Sequence, residues 1–298
     1  MDRENPSELF DARSWLFAPG DSTRKMEKAT AGPADVVIFD LEDAVAETEK
    51  PRARTSIATF LASQPADRSR LWVRINPLQG PDALADLAAV MPGRPGGVML
   101  PKARGREDVE RLDHYLSALE VANDIGQGTT KVIALVTETA EGMFTTGTYA
   151  GAPRLVALTW GAEDLADAVG ASENRNADGS YGFTYELARS FCLLGAAAAG
   201  ISAVETIHGD FRDEQGLRQR AQEVRLAGYR GMLAIHPAQV QIINEAFTPT
   251  PEELAAAQEV VDLFAANPSA GTIGFRGAML DRPHLARAKA LLKVAARS

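Results

Sequence analysis

Eight short β-rich runs, helical patterns in the intervals between them, and strands that read as continuously apolar predict an α/β fold, a (β/α)8 TIM barrel with a C-terminal helical extension. Strands alternating with helices along a chain mark a parallel sheet with crossover connections. Continuously apolar strands suit a sheet whose outer face is covered by helices and whose inner face is packed. Eight such units favour closure into a barrel over an open sheet.

In chain order the expected strands are Trp15–Ala18, Val36–Leu41, Leu71–Ile75, Gly97–Pro101, Val132–Thr137, Leu155–Thr159, Ala203–Ile207 and Met232–Ile235. Helical patterns fall at Ser22–Ala31, Glu47–Ala62, Arg106–Val121, Tyr185–Ala199 and Glu214–Ala227. A polar, glycine-containing loop from Ala171 to Gly182 and a tail after Phe247 exceed the minimal barrel. The tail carries helical patterns at Pro251–Ala266 and Pro283–Ala296, so the expected organisation is a catalytic barrel over 1–247 and a helical extension over 248–298. Long polar loops at barrel tops commonly act as lids or subunit contacts.

The 298 residues, 45% hydrophobic and 24% charged, suffice for a full core. A net charge of −9 and a pI near 5.1 argue against nucleic-acid or anionic-membrane partners, because tracking phosphates needs a basic surface. An anionic ligand must therefore meet a local basic patch. The single cysteine, Cys192, lies in an apolar run, so no intrachain disulfide forms and a reducing compartment is expected. The charged first residues lack the apolar core of a secretory signal and no apolar run reaches spanning length, giving a cytoplasmic expectation.

Barrel enzymes build their sites where strands end at the C-terminal face. Those positions hold Asp40, Glu42 and Asp43 after the second strand, Arg74 and Asn76 after the third, Lys102 after the fourth and Glu138 after the fifth. Glu163 and Asp164 follow the sixth, His208 and Asp210 the seventh, and His236 the eighth. Carboxylates without a histidine or cysteine cluster suit a hard cation; Mg²⁺ takes one or two protein carboxylates and completes its octahedron with water and substrate. The competing reading is a rim of salt bridges. Arg74 either stabilises a developing oxyanion or pairs structurally with Asp40 or Glu42. Lys102 is a Schiff-base lysine or a rim cation, and the neighbouring acids, by keeping its pKa high, weigh against the Schiff base. His208 and His236 read equally as acid–base groups or as positioning groups. No nucleophile elbow, phosphate loop or dinucleotide fingerprint occurs.

Nine ordered blocks resemble the citrate lyase beta-subunit family, which includes malyl-CoA and citramalyl-CoA lyases within the Mg²⁺-dependent HpcH/HpaI aldolase superfamily. They are RSWLFAPGD at Arg13–Asp21, VIFDLEDAV at Val37–Val45, VRIN at Val73–Asn76, MLPK at Met99–Lys102, TETAEG at Thr137–Gly142, WGAEDLADAVG at Trp160–Gly170, GDFRDEQGL at Gly209–Leu217, AIHPAQV at Ala234–Val240 and GAMLDRP at Gly277–Pro283. Met232, Glu205 and Glu141 depart from that pattern without touching a proposed metal ligand.

The resemblance implies that Glu138 and Asp164 ligate Mg²⁺, with Mn²⁺ as an alternative, and that Asp40 and Glu42 hold metal-bound waters or Lys102. It implies that Arg74 contacts the reacting oxygen, that backbone amides of Gly161, Ala162 and Glu163 receive a substrate carboxylate, and that Phe17, Arg24 and Lys28 meet coenzyme A. Asp281 resembles a carboxylate supplied to a neighbouring subunit's site, which implies a homo-oligomer, a trimer or hexamer; the alternative is a cap on the helix that follows.

The function so implied is a carbon–carbon lyase, reversibly cleaving a carboxylated 3-hydroxyacyl-CoA such as malyl-CoA or citramalyl-CoA into acetyl-CoA and a 2-oxo acid. Its rivals are a citrate lyase subunit acting on an acyl carrier protein thioester, a class II aldolase of free 2-oxo acids, and a ligand-binding barrel without turnover.

Overall fold

The computed structural model describes residues 10–296, so the charged start of the chain lies outside the described residues. The described chain divides after Asn244 into two compact units.

The first unit is a closed barrel of eight parallel strands in sequence order. The strands are β1 (Ser14–Pro19), β2 (Val36–Asp40), β3 (Leu71–Arg74), β4 (Gly97–Leu100), β5 (Lys131–Leu135), β6 (Leu155–Thr159), β7 (Ser202–Glu205) and β8 (Gly231–Ala234). Each expected strand is present. Their helices are α1 (Thr23–Thr30), α2 (Lys50–Ser63), α3 (Ala83–Val90), α4 (Arg106–Ala122), α5 (Ala140–Thr145), α6 (Glu163–Val169), α7 (Phe183–Ala199), α8 (Glu214–Ala227) and α9 (Pro237–Phe247). The sequence pattern did not resolve α3, α5 and α6, which are at most eight residues long and too short for a clear 3.6-residue period.

Alternate strand residues fill the interior. Trp15, Ile38, Trp72, Met99, Ile133, Leu135, Ala157, Val204 and Leu233 form one buried cluster. Trp15 and Trp72 meet edge to face at 5.2 Å between ring centroids, and Phe10 packs within 5.6 Å of both. These rings lie toward the N-terminal ends of the strands. A β-carbon at Gly97 would lie 2.5 Å from the Trp72 ring, so glycine is what lets that indole fit.

The second unit comprises α10 (Pro251–Ala266), a hairpin of β9 (Thr272–Phe275) and β10 (Ala278–Asp281), and α11 (Arg282–Ala295). Both helices start from capping boxes, Thr250 with Glu253 and Asp281 with His284. The hairpin is not among the expected elements: seven of its eight residues are partly or fully exposed, and its four-residue strands are too short to show a clear two-residue period.

Candidate active site

Asp40 and Arg74 end β2 and β3 as register partners. Arg74 grips Asp40 with two prongs: Nε donates to Oδ1 at 2.7 Å and Nη2 to Oδ2 at 2.6 Å. Its Nη1 lies 2.9 Å from Glu42 Oε2 and 3.3 Å from Asp43 Oδ2. The Phe17 ring of β1 sits against the guanidinium, 4.9 Å from its carbon. Asp40 also accepts the backbone N–H groups of Glu42 and Ala44, so the turn after β2 folds around its carboxylate. Burial pushes the Arg74 pKa down, but Asp40, Glu42 and Asp43 outweigh it and hold the guanidinium above its ordinary range.

Lys102 follows β4 with φ of +50°, a left-handed conformation that costs a side-chain-bearing residue and recurs at functional sites. In that conformation its backbone N–H donates to Glu138 Oε2 at 2.7 Å. Its Nζ spans Glu42 Oε1 at 2.9 Å and Asp164 Oδ1 at 2.8 Å. Burial lowers the ammonium pKa, yet the hydrogen bonds to Asp164 and Glu42 raise it further than burial lowers it. A lysine held protonated is no Schiff-base nucleophile, which favours the rim-cation reading.

Glu42 and Glu138 show the opposite stress. Burial, only partly offset by Arg74 and Lys102, pushes Glu42 up to about 7. Glu138 is driven well above the carboxylate range by burial first and then by the charges of Glu42 and Asp164. A β-carbon at Gly161 would lie 3.3 Å from Glu138 Oε1, so the glycine leaves that oxygen a cradle. Ala162 precedes α6, no side chain caps the helix, and Glu163 and Asp164 begin it.

The structure therefore brings Phe17, Asp40, Glu42, Arg74, Lys102, Glu138, Gly161 and Asp164 to one end of the barrel. Arg24 and Lys28 lie exposed on α1. Asp281 lies in the second unit, where it accepts the His284 N–H and caps α11; the contact with His284 holds its pKa below the usual range. His208 Nε2 meets Asp213 Oδ2 at 3.3 Å. His236 stacks on Phe211 and its Nδ1 accepts the Ala238 N–H, a positioning role at the start of α9. Asp210 accepts the Arg212 N–H within its own turn. Glu205 and Trp160 stand out in the sequence only through the family resemblance; their contact with each other and with Arg220 lies on the helix side of the barrel, which strand-end positions do not disclose.

The residues fit a divalent cation. Five carboxylates (Asp40, Glu42, Asp43, Glu138 and Asp164) surround two cations, Arg74 and Lys102. Of these acids Glu138 is pushed well up by burial and by its acidic neighbours, and it has room beside Gly161. Among the described residues no group of three or more His, Cys, Asp or Glu side chains is arranged as a metal cage. Two carboxylates with the remaining positions open is the donor set Mg²⁺ uses.

Comparison with known proteins gives a consistent answer. Residues 13–237 match a family model described as HpcH/HpaI aldolase/citrate lyase. A citrate lyase subunit beta-like protein of Mycobacterium tuberculosis is 38% identical over 279 residues, 94% of either chain. The mitochondrial citramalyl-CoA lyase of Mus musculus is 32% identical over 297 residues, covering 95% of this chain and 86% of its own. A crystal structure of CitE from M. tuberculosis with magnesium, acetoacetate and coenzyme A is 37% identical, with a TM-score of 0.81 over 96% of this chain and 98% of that one.

Proposed function

The chain belongs to the HpcH/HpaI aldolase/citrate lyase family, and from that premise we propose that it cleaves a carboxylated 3-hydroxyacyl-CoA, such as malyl-CoA or citramalyl-CoA, reversibly into acetyl-CoA and a 2-oxo acid. The observation that carries this reading is the crowd of carboxylates around Lys102 and Arg74 at the C-terminal mouth of the barrel. Glu138 and Asp164 would hold Mg²⁺, or Mn²⁺, which has similar oxygen-ligand preferences. When bound, that ion supplies a Lewis acid and template for the substrate's carboxylate and hydroxyl oxygens.

The chain's own groups do the rest. Arg74, fixed in orientation by Asp40, faces the oxygen on which charge changes as the carbon–carbon bond breaks. Lys102 stays protonated and orients Glu42 and Asp164. Amides of Gly161, Ala162 and Glu163 receive the substrate carboxylate, while Phe17, Arg24 and Lys28 meet coenzyme A. In the cleavage direction the hydroxyl proton passes to solvent water as that carbon becomes the carbonyl of the 2-oxo acid. The bonding pair goes to the acetyl-CoA carbon, which Asp281 of a neighbouring subunit in a homo-oligomer protonates.

Incubating the protein with Mg²⁺ and malyl-, citramalyl- and citryl-CoA, with EDTA controls and mass spectrometry, tests this. Metal-dependent release of acetyl-CoA with one 2-oxo acid supports it, and release of the intact hydroxy acid would mean thioester hydrolysis instead. No cleavage across the panel would overturn it in favour of a carrier-protein thioester or a free 2-oxo acid. Asp281→Asn sharpens the test, since asparagine still caps a helix but cannot carry the proton: thermal stability should hold while turnover stops.

A further inference from the structure

Glu205 ends β7 with no exposed surface, and its side chain points away from the barrel interior toward α7 and α8. One carboxylate oxygen, Oε1, accepts both the Trp160 indole N–H at 3.2 Å and Arg220 Nη2 at 3.0 Å. The other, Oε2, is buried and finds no partner. A buried carboxyl group is costly to desolvate, and only one of its two oxygens is compensated by hydrogen bonds. What the carboxyl group supplies is a fixed acceptor for the indole.

Trp160 is fully buried and directly precedes Gly161, where a β-carbon would lie 3.3 Å from Glu138, and it stands four residues before Asp164, which Lys102 binds. The ring of Trp160 also meets Tyr181 edge to face at 5.2 Å. Tyr181 is the end of the polar 171–182 loop, where it bridges to Arg175 and lies under the Arg175 and Arg220 guanidinium groups. Glu205, Trp160 and Tyr181, all buried, and the half-buried Arg220 thus form one packed unit. It connects the carboxylate-bearing segment to the loop.

We propose that Glu205 is a positioning residue: through the Trp160 indole it fixes the segment 160–164 that carries Gly161 and Asp164, and through Trp160 and Arg220 it anchors the Tyr181 end of the 171–182 loop to the same segment. This deepens the metal-site reading and rests on it for its consequence, but not for its geometry. Groups that hydrogen-bond a metal ligand orient it, and losing one typically weakens metal affinity about 10–100-fold; Glu205 acts one step further back, through Trp160, so the expected loss lies at the low end of that range.

The experiment compares Trp160→Phe, Glu205→Leu and Glu205→Gln with the wild type in two readouts. The first is amide hydrogen exchange without metal. Trp160→Phe and Glu205→Leu should speed exchange in 161–166 and 176–182 and leave the Asp40 turn at the same barrel end unchanged, while Glu205→Gln, which keeps the acceptor, should match the wild type. The second is Mn²⁺ binding followed by electron paramagnetic resonance, expected to weaken by up to about tenfold in the first two variants. Wild-type exchange in Trp160→Phe would overturn the proposal even if Glu205→Leu failed to fold. Wild-type protein that bound no Mn²⁺ would overturn the metal reading alone, since the exchange pattern decides the positioning role separately.

Discussion

Buried carboxylates meet cations at both ends of this barrel, and the two ends treat them oppositely. At the N-terminal end Arg154, itself at φ +59°, forks onto Glu120 with Nη1 at 2.6 Å and Nη2 at 2.8 Å, and binds Asp113 and Ser117 as well. Glu120 accepts two further backbone N–H groups, from Gly128 and Thr130. Burial opposes its ionisation, but those bonds hold it down at about 2. At the C-terminal mouth Glu42 is pushed up to about 7 and Glu138 higher than the carboxylate range. Carboxylates whose oxygens are all bonded staple a fold. Carboxylates kept in excess of their cations store a demand for a further positive charge, and barrels place such chemistry at the C-terminal face.

The largest expected difference between the ends is in turnover. Glu138→Gln keeps an acceptor for the Lys102 N–H but removes a proposed metal ligand. Losing several kcal/mol of transition-state stabilisation is a fall of roughly 10³-fold in kcat/KM at about 1.4 kcal/mol per decade. The same change removes a like charge, so the melting temperature of the metal-free protein should stay level or rise; steady-state kinetics and a thermal melt read the two effects.

Glu120→Gln should behave in reverse. Holding Glu120 near 2 rather than 4.5 corresponds, at about 1.4 kcal/mol per decade and discounted for solvent screening, to roughly 1–3 kcal/mol of stability. A urea titration should show that loss while kcat/KM stays within about twofold.

The smallest effect is in the pH dependence of stability. The folded protein keeps a proton on Glu42 that the unfolded chain releases, so this group's contribution falls as pH rises from 4.5 to about 7. For Glu120 the unfolded chain holds the extra proton, and its contribution is lost as pH falls from 4.5 towards 2. Glu42→Gln should flatten the upper limb of a metal-free stability profile and Glu120→Gln the lower one. A profile unchanged by both would remove the electrostatic basis of the contrast.

The two ends also differ in how much of them the sequence discloses. The mouth is legible because each of Asp40, Arg74, Lys102, Glu138 and Asp164 follows an apolar run, and closing the barrel brings run ends together. The Arg154–Glu120 staple is not, since Glu120 reads as a surface position of a helix and its partner lies 34 residues away, before a strand instead of after one. Trp160 and Glu205, 45 residues apart, were hidden for a similar reason. For Arg74 only the structure shows the ion pairing in full: it grips Asp40 with two prongs and sets a third edge near Glu42 and Asp43. In the tail, the helix after Asp281 is legible from its pattern, while the short strands of the hairpin leading to it lack the alternating period that marks a strand.

The contrast is tested most directly by thermal melts of the wild type, Glu138→Gln and Glu120→Gln with and without Mg²⁺, because a ligand that binds only the folded state raises its melting temperature. The account predicts that Mg²⁺ raises the melting temperature of the wild type and of Glu120→Gln by the same increment and leaves Glu138→Gln unmoved. An equal rise in Glu138→Gln would contradict it, placing the cation away from the mouth carboxylates.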